Sequence, residues 1–406
     1  MSYPSSSSTT PMNATAGETG RPLSVLVLSH ASNVWGAERR LLDMAPLFAA
    51  QGIVLVLASP PGELADAWVS AGHRWEPFNL RRHQGLRRPD SRARPPVGAL
   101  LSEGRSVMQS SLSVARLARS FDLVQSHSLM AHLEVALAGT VARRPVVLDL
   151  HDLVEEGLGR RVLRLAARLA TVSLANSSAT AQTVGGESSK VRVVHPGVDT
   201  DRFFPAAADP AIRAQLSACP EAPLVGILGR IDPNKGVQTL VEAMARPEAN
   251  LSRAHLVVVG REHVGSADFA AELRRRGDEL LGDRVRFIGP RDDVPDVLRA
   301  LDIMVNASRH EPFGRTVLEA QACGVAVVAT NAGGIPEFVE NLRTGLLVPP
   351  LDAPALGAGL ERLIGDEALR RRLAGEGAVQ ARERFSVAGQ ARAAAAVYRF
   401  AVDRSA

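Results

Sequence analysis

Two carboxylates eight residues apart, Glu311 and Glu319, bracket the start of a short helix in residues 310–324, HEPFGRTVLEAQACG. Gly314 ends a loop, the run from Thr316 to Cys323 reads as helix, and Gly324 supplies the stop before the next apolar run. Unpaired amides and the positive end of the dipole make a helix N-terminus attractive to anions. Carboxylates beside it are badly placed to hold phosphate directly. They suit the hydroxyls of a ligand whose phosphates occupy the amides, and a nucleotide sugar has that chemistry.

Two fixed cations, Arg230 and Lys235, lie in GRIDPNKG after the apolar run 224–228. At a strand end they can neutralise a diphosphate and stabilise it as it leaves; a solvated surface pair is the plainer alternative. Neither GxxxxGK[ST] nor GxGxxG occurs, so the phosphate loops of an NTPase and of a dinucleotide dehydrogenase are both missing. His127 and His151 each follow an apolar run, where a side chain can meet a ligand; singly, each is more often a hydrogen-bonded structural residue. Gly36, in NVWGAE, allows backbone to approach a phosphate or sugar, or simply makes a tight turn. The same two readings apply to Gly333 and Gly334 in NAGGIPE.

Such residues work together only if their loops gather at one end of a sheet. Apolar runs at 24–29, 53–59, 123–126, 146–150, 170–173 and 191–194 alternate with helical patterns, and the alternation restarts at 224–228, 255–259, 285–288, 303–308 and 325–330. Continuous apolar strands of this kind predict parallel sheets covered on both faces. The fold class is therefore α/β, with two doubly wound parallel-sheet domains at 21–200 and 223–385. An Ala/Pro/Asp-rich linker, 201–222, joins them, and a C-terminal helix within 386–406 packs back on the first. Ligands bind at the carboxyl ends of strands in such folds, so the loops after 29, 126, 150, 228 and 308 should open into one cleft. Residues 1–20, rich in Ser, Thr and Pro, read as a disordered leader.

Composition narrows the function classes. The 406 residues suffice for two cores, and 46% hydrophobic with 4% aromatic content predicts cores of Ala, Val and Leu. Lys and Arg exceed Asp and Glu by 47 to 43, too little to argue for a nucleic-acid partner. Cys219 and Cys323 are the only cysteines and have no metal-ligand spacing with histidine, which suits a reducing compartment. No apolar run approaches the roughly 18 residues of a membrane span, and no signal-peptide order opens the chain, so a cytoplasmic protein is expected. Residues 81–96, RRHQGLRRPDSRARPP, hold six arginines and one acid. They read as a solvated mobile loop, or as an electrostatic contact with an anionic acceptor or the inner face of a membrane.

Taken in order, these motifs resemble the retaining nucleotide-sugar glycosyltransferases of the GT-B fold, family 4. The resemblance runs from about residue 22 to the C-terminus, apart from the arginine-rich stretch. It rests on the E-x7-E segment from Glu311 to Glu319, on Gly229-Arg230 with Lys235-Gly236, on HPGVDTDRF from His195 to Phe203, and on Gly333-Gly334, Glu337 and TGLLV from Thr344. It implies that Arg230 and Lys235 hold the donor diphosphate. Glu311, with the amides of Phe313 and Gly314, would bind the transferred sugar, Thr316 and Val317 would give amides to phosphate, and Glu319 would bind the ribose. Arg291 would pack on the base, His151 would sit near the reacting centre, and His127 would be a second cleft histidine. The acceptor would be a hydroxyl of a glycan, lipid-linked or small molecule. Neither cofactor nor metal is implied by the resemblance. Two departures stand out: Trp35-Gly36-Ala37 replaces the usual paired glycines, and Arg315 replaces an aliphatic residue. The rival readings are a GT-B epimerase or phosphorylase, the second of which should carry a lysine for pyridoxal phosphate, and a non-catalytic nucleotide-sugar-binding protein.

Overall fold

The structure is a computed structural model that describes residues 21–80, 97–262 and 265–405. The leader, 1–20, and the arginine-rich stretch, 81–96, lie outside the described residues.

The first domain is built on β1 (Leu23–Leu28), β2 (Ile53–Ser59), β3 (Trp75–Pro77), β4 (Leu123–Ser126), β5 (Val146–Leu150), β6 (Val172–Ala175) and β7 (Val191–Val193). All pairs are parallel, in the order β3-β2-β1-β4-β5-β6-β7. Both faces are buried, as the unbroken apolar runs demand. Val25 and Val27 of β1 face one core with the helix Gly36–Ala49, whereas Leu26 and Leu28 face another with the helices Val97–Ala118 and His132–Ala142.

The second sheet is formed by β8 (Leu224–Leu228), β9 (His255–Val259), β10 (Val285–Ile288), β11 (Ile303–Asn306), β12 (Ala326–Thr330) and β13 (Leu346–Val348), all parallel, in the order β10-β9-β8-β11-β12-β13. Each order reverses between two neighbouring strands, β1 and β4 in one domain and β8 and β11 in the other. Loops that leave such a switch point diverge and open a crevice. These four loops carry Gly36, His127, the Arg230–Lys235 pair and Glu311.

The structure differs from the sequence reading in three places. The strand expected at 170–173 lies two residues later, because Ala170 still donates to the Ala166 carbonyl at 2.9 Å as the exit of the helix Leu158–Leu169. The strands β3 (Trp75–Pro77) and β13 (Leu346–Val348), each three residues long, were not among the expected strands. The stretch 201–222 contains a helix, Pro210–Leu216, capped by Asp209 and fastened by Arg213 to Asp302 at 2.8 Å.

The chain crosses between domains twice, and the crossings touch. Val198 donates to the Phe385 carbonyl at 2.7 Å, and Val387 donates to the Val198 carbonyl at 3.1 Å. The helix Val387–Asp403 then lies on the first domain, where the Tyr398 ring stacks on Phe48 and its hydroxyl donates to Gln125.

Candidate active site

Glu311 sits in the loop between β11 and the helix Arg315–Ala322, which begins one residue before the expected Thr316. Its side chain is 8% exposed, and three donors converge on Oε2: Lys235 Nζ at 2.9 Å, Asn306 Nδ2 at 3.1 Å and Ser308 Oγ at 2.8 Å. Burial alone would raise this carboxyl; the Lys235 charge and the three hydrogen bonds hold it below its ordinary value. Two glycines make the loop possible. Gly314, at φ +100°, is in a conformation that side chains rarely adopt, and a Cβ on Gly333, at φ +59°, would lie 1.8 Å from the Glu311 carbonyl oxygen.

Lys235 ends a single helical turn, Pro233–Lys235, whose cap is the Asp232 carboxylate accepting from the Asn234 amide at 2.9 Å. Asn234 joins this turn to the Glu311 loop: its side chain donates to the His310 carbonyl at 2.8 Å, and its carbonyl accepts from the Arg309 amide at 2.8 Å. Arg230 keeps its guanidinium half in solvent, its Nε 3.5 Å from Asp232. A small cavity beside Arg230 and Lys235 is lined also by Gly229, Asn306 and Ser308. One part-buried and one exposed cation thus flank a cavity next to a carboxylate.

The helix after Glu311 presents its start to the first domain. Arg315 Nη1 donates to the Gly36 carbonyl at 3.0 Å, and Nη2 lies 3.3 Å from Asp43 and 3.2 Å from Glu319. Burial pushes the Glu319 carboxyl up, Arg315 draws it down, and Asp43 raises it again. A second contact across the cleft puts the Arg261 guanidinium 5.6 Å from the Trp35 ring centroid. The two departures from the family pattern, Trp35 and Arg315, are therefore both cross-domain contacts. Sequence reading saw Arg315 only as a change in the sugar pocket, since nothing local reveals a partner 279 positions away.

The remaining expected site residues are placed unevenly. The Phe313 ring is buried among Phe338, Phe385 and His195, so only its backbone faces the loop. Val317 is buried and its amide already donates to the Gly314 carbonyl at 3.0 Å; Thr316, one residue nearer the helix start, is half-buried. Arg291 is held by both carboxylate oxygens of Asp293 and by Gln215.

His127 is 1% exposed and lies behind His151 rather than on the cleft surface, their ring centroids 5.0 Å apart. Its Nδ1 is 2.8 Å from Asp149, which also accepts from Arg40 at 2.6 Å. Sequence reading missed Arg40 and Asp149, which look like ordinary surface and strand residues until the fold buries them together. Burial lowers His151, with Asp152 and Asp149 opposing, so this largely buried imidazole is held towards its neutral form. His127, Asp149 and His151 have ligand-type atoms within 4.8 Å of one another and form the grouping, among the described residues, that could hold a metal ion. The Arg40 guanidinium already neutralises Asp149 there, and the His127 nitrogen is turned onto the same carboxylate.

Comparison with known proteins agrees with this geometry. Residues 34–202 match the model for Glycosyltransferase Family 4, and residues 209–379 match that for Glycosyl transferases group 1, which together take in most of the chain. A D-inositol 3-phosphate glycosyltransferase of Streptomyces bingchenggensis is 32% identical over 302 residues, 68% of this chain and 66% of the relative. The lipopolysaccharide core biosynthesis mannosyltransferase LpsB of Rhizobium meliloti is 33% identical over 214 residues, 51% of this chain and 60% of the relative. The chain thus aligns with about half to two thirds of the length of these curated relatives. Among solved structures, Anabaena HepE in complex with UDP-glucose superposes with a TM-score of 0.76 at 27% identity, covering 93% of this chain and all of that one. The switch-point loops, the E-x7-E helix and both family models coincide on one molecule, and the chain belongs to the family 4 glycosyltransferases of the GT-B fold.

Proposed function

We propose that this chain transfers a sugar from a nucleotide-diphosphate sugar to a hydroxyl acceptor, with retention of anomeric configuration and without a metal ion. The observation that carries the reading is the Lys235–Glu311 pair, with Arg230 beside it, on the loops that follow β8 and β11. Arg230 and Lys235 supply the positive charge that grows in value as the diphosphate leaves, the part a divalent cation would otherwise take. Glu311 orients the sugar through its hydroxyls, with the amides of Phe313 and Gly314. Glu319 takes the ribose once Arg315 yields, the amide of Thr316 takes phosphate, and Arg291 lies towards the base. No carboxylate is assigned as a nucleophile. The acceptor oxygen bonds to the anomeric carbon on the face the diphosphate leaves, and the leaving phosphate takes the acceptor proton. His151, held neutral, orients a sugar hydroxyl near that centre.

Domain closure about the paired crossings at Val198 and Val387 would bring His151 and the donor loop together. The resemblance to HepE, whose structure holds UDP-glucose, supports a donor of this class. No helix among the described residues is long and apolar enough to cross a membrane, and a peripheral contact with an anionic surface is assigned to residues 81–96. A thermal-shift screen against UDP-, GDP- and ADP-sugars tests the donor reading: one of them should raise the melting temperature, and no shift with any of them would count against it. Deleting residues 82–95 should weaken binding to anionic vesicles, and unchanged binding would remove that assignment.

A further inference from the structure

The turn that follows β12 does more than let backbone approach. Its last residue, Glu337, is gripped by the first domain: Oε2 accepts from the Ser178 amide at 2.9 Å, Oε1 accepts from the Ala179 amide at 3.1 Å, and His195 Nε2 lies 2.8 Å from Oε2. Next to it, buried Ser177 donates its hydroxyl to the Pro312 carbonyl at 2.6 Å. All four contacts join the ends of β6 and β7 to the underside of the Glu311 loop.

The same turn reaches Glu311 from behind. The Gly334 amide donates to the Glu311 carbonyl at 2.9 Å, and the Ile335 side chain packs against Gly314. The His195 ring stacks 5.7 Å from Phe313, which stacks in turn 4.7 Å from Phe338, the residue after Glu337. One turn and one ring stack therefore connect the first domain's contacts on Glu337 to the backbone that aims Glu311. Three donors need a charged, two-oxygen acceptor at this point, which explains a glutamate here where a turn alone would accept many residues.

We propose that Glu337 is a positioning residue for sugar transfer: by binding the Ser178 and Ala179 amides and the His195 ring, it sets the Glu311 loop for the donor sugar and ties that setting to the orientation of the two domains. The proposal rests on the donor reading of Glu311 above. It separates Glu337 from a merely structural ion pair, because its loss should affect the sugar half of the donor and spare the nucleotide half.

The test titrates wild type, Glu337→Ala, Glu337→Gln and Glu311→Ala with UDP-glucose, GDP-mannose and ADP-glucose, and with UDP, GDP and ADP, beside melting curves. The expected result is a wild type that binds one of these sugar nucleotides, and a Glu337→Ala protein that binds it about tenfold more weakly. Affinity of Glu337→Ala for the matching nucleoside diphosphate should change by less than about threefold. Glu337→Gln, which keeps the size and one acceptor, should fall between, and it carries the test if the alanine variant does not fold. Sugar-nucleotide binding unchanged in the folded Glu337 variants, with only the melting temperature lowered, would overturn the positioning role while leaving the donor site standing. A wild type that binds none of the three sugar nucleotides would overturn the donor reading, and this proposal with it.

Discussion

Removing the Lys235 ammonium is the perturbation whose consequence the structure specifies most closely. Lys235→Met keeps the aliphatic stem and takes a unit charge from 2.9 Å away from Glu311 Oε2. The carboxylate then retains only the neutral donors Asn306 and Ser308, at a position 8% exposed. At an effective dielectric of about 20, the lost attraction at that distance is about 6 kcal/mol. Water at the 24% exposed lysine screens part of it, and removing one partner of a buried pair costs about 3–5 kcal/mol. A destabilisation of about 2–3 kcal/mol at pH 7.5 follows for this partly exposed pair.

The sign with pH is fixed by the same contacts. In the wild type the folded Glu311 carboxyl lies below its ordinary 4.5, so its contribution is full above that value and is lost as pH falls through the folded one. In Lys235→Met the burial cost dominates and raises the carboxyl, so the deficit should shrink as pH drops from 7.5 to 4. Urea unfolding at both pH values, with the Glu311→Gln and double variants to close a thermodynamic cycle, measures it. A variant within about 0.5 kcal/mol of wild type at pH 7.5, or an equal deficit at both pH values, would refute the reasoning.

Further outcomes follow from other parts of the molecule. Arg315→Leu should lower stability by about 1 kcal/mol, since it removes the half-buried bridge to Gly36, Asp43 and Glu319; an unchanged urea midpoint would show the bridge to be idle. Gly333→Ala should cost about 3 kcal/mol or more and abolish sugar-nucleotide binding, as its Cβ would collide with the Glu311 carbonyl, which calorimetry and a melting curve can check together. His151, held below its ordinary 6.5 by burial, stays neutral in the fold while the unfolded chain protonates. Stability should therefore fall as pH drops from about 7 to 5.5, and His151→Asn should flatten that part of the melting-temperature profile. Tyr398→Phe should cost about 1 kcal/mol by leaving the buried Gln125 oxygen without its hydroxyl donor.

The frame of the molecule was legible in the sequence because both faces of each sheet are buried. A strand such as Ile53–Ser59 or His255–Val259 then reads as an unbroken apolar run whose ends are visible without tertiary information. The Trp-Glu-Pro sequence of β3 carries no such run, and Ala170 belonged equally to a helix exit or a strand entry until the fold chose. The Glu311 loop was legible for another reason: glycine, carboxylate and helix start are adjacent in sequence. Arg40, Asp149, Arg315, Ser177 and the grip on Glu337 were not, since each acquires its chemistry from a partner more than a hundred residues away. Long-range pairing of polar residues leaves no periodicity to read.

The central claim is that Glu311 holds the sugar of a nucleotide-diphosphate donor while Arg230 and Lys235 hold its phosphates. Calorimetric titration of wild type and Glu311→Ala with one sugar nucleotide and its nucleoside diphosphate tests it most directly. Glu311→Ala should lose about tenfold or more in affinity for the sugar nucleotide. It should bind the nucleoside diphosphate as well as wild type or better, because Lys235 is released from its carboxylate. Equal affinity of the two proteins for the sugar nucleotide, or a parallel loss for both ligands, would contradict it.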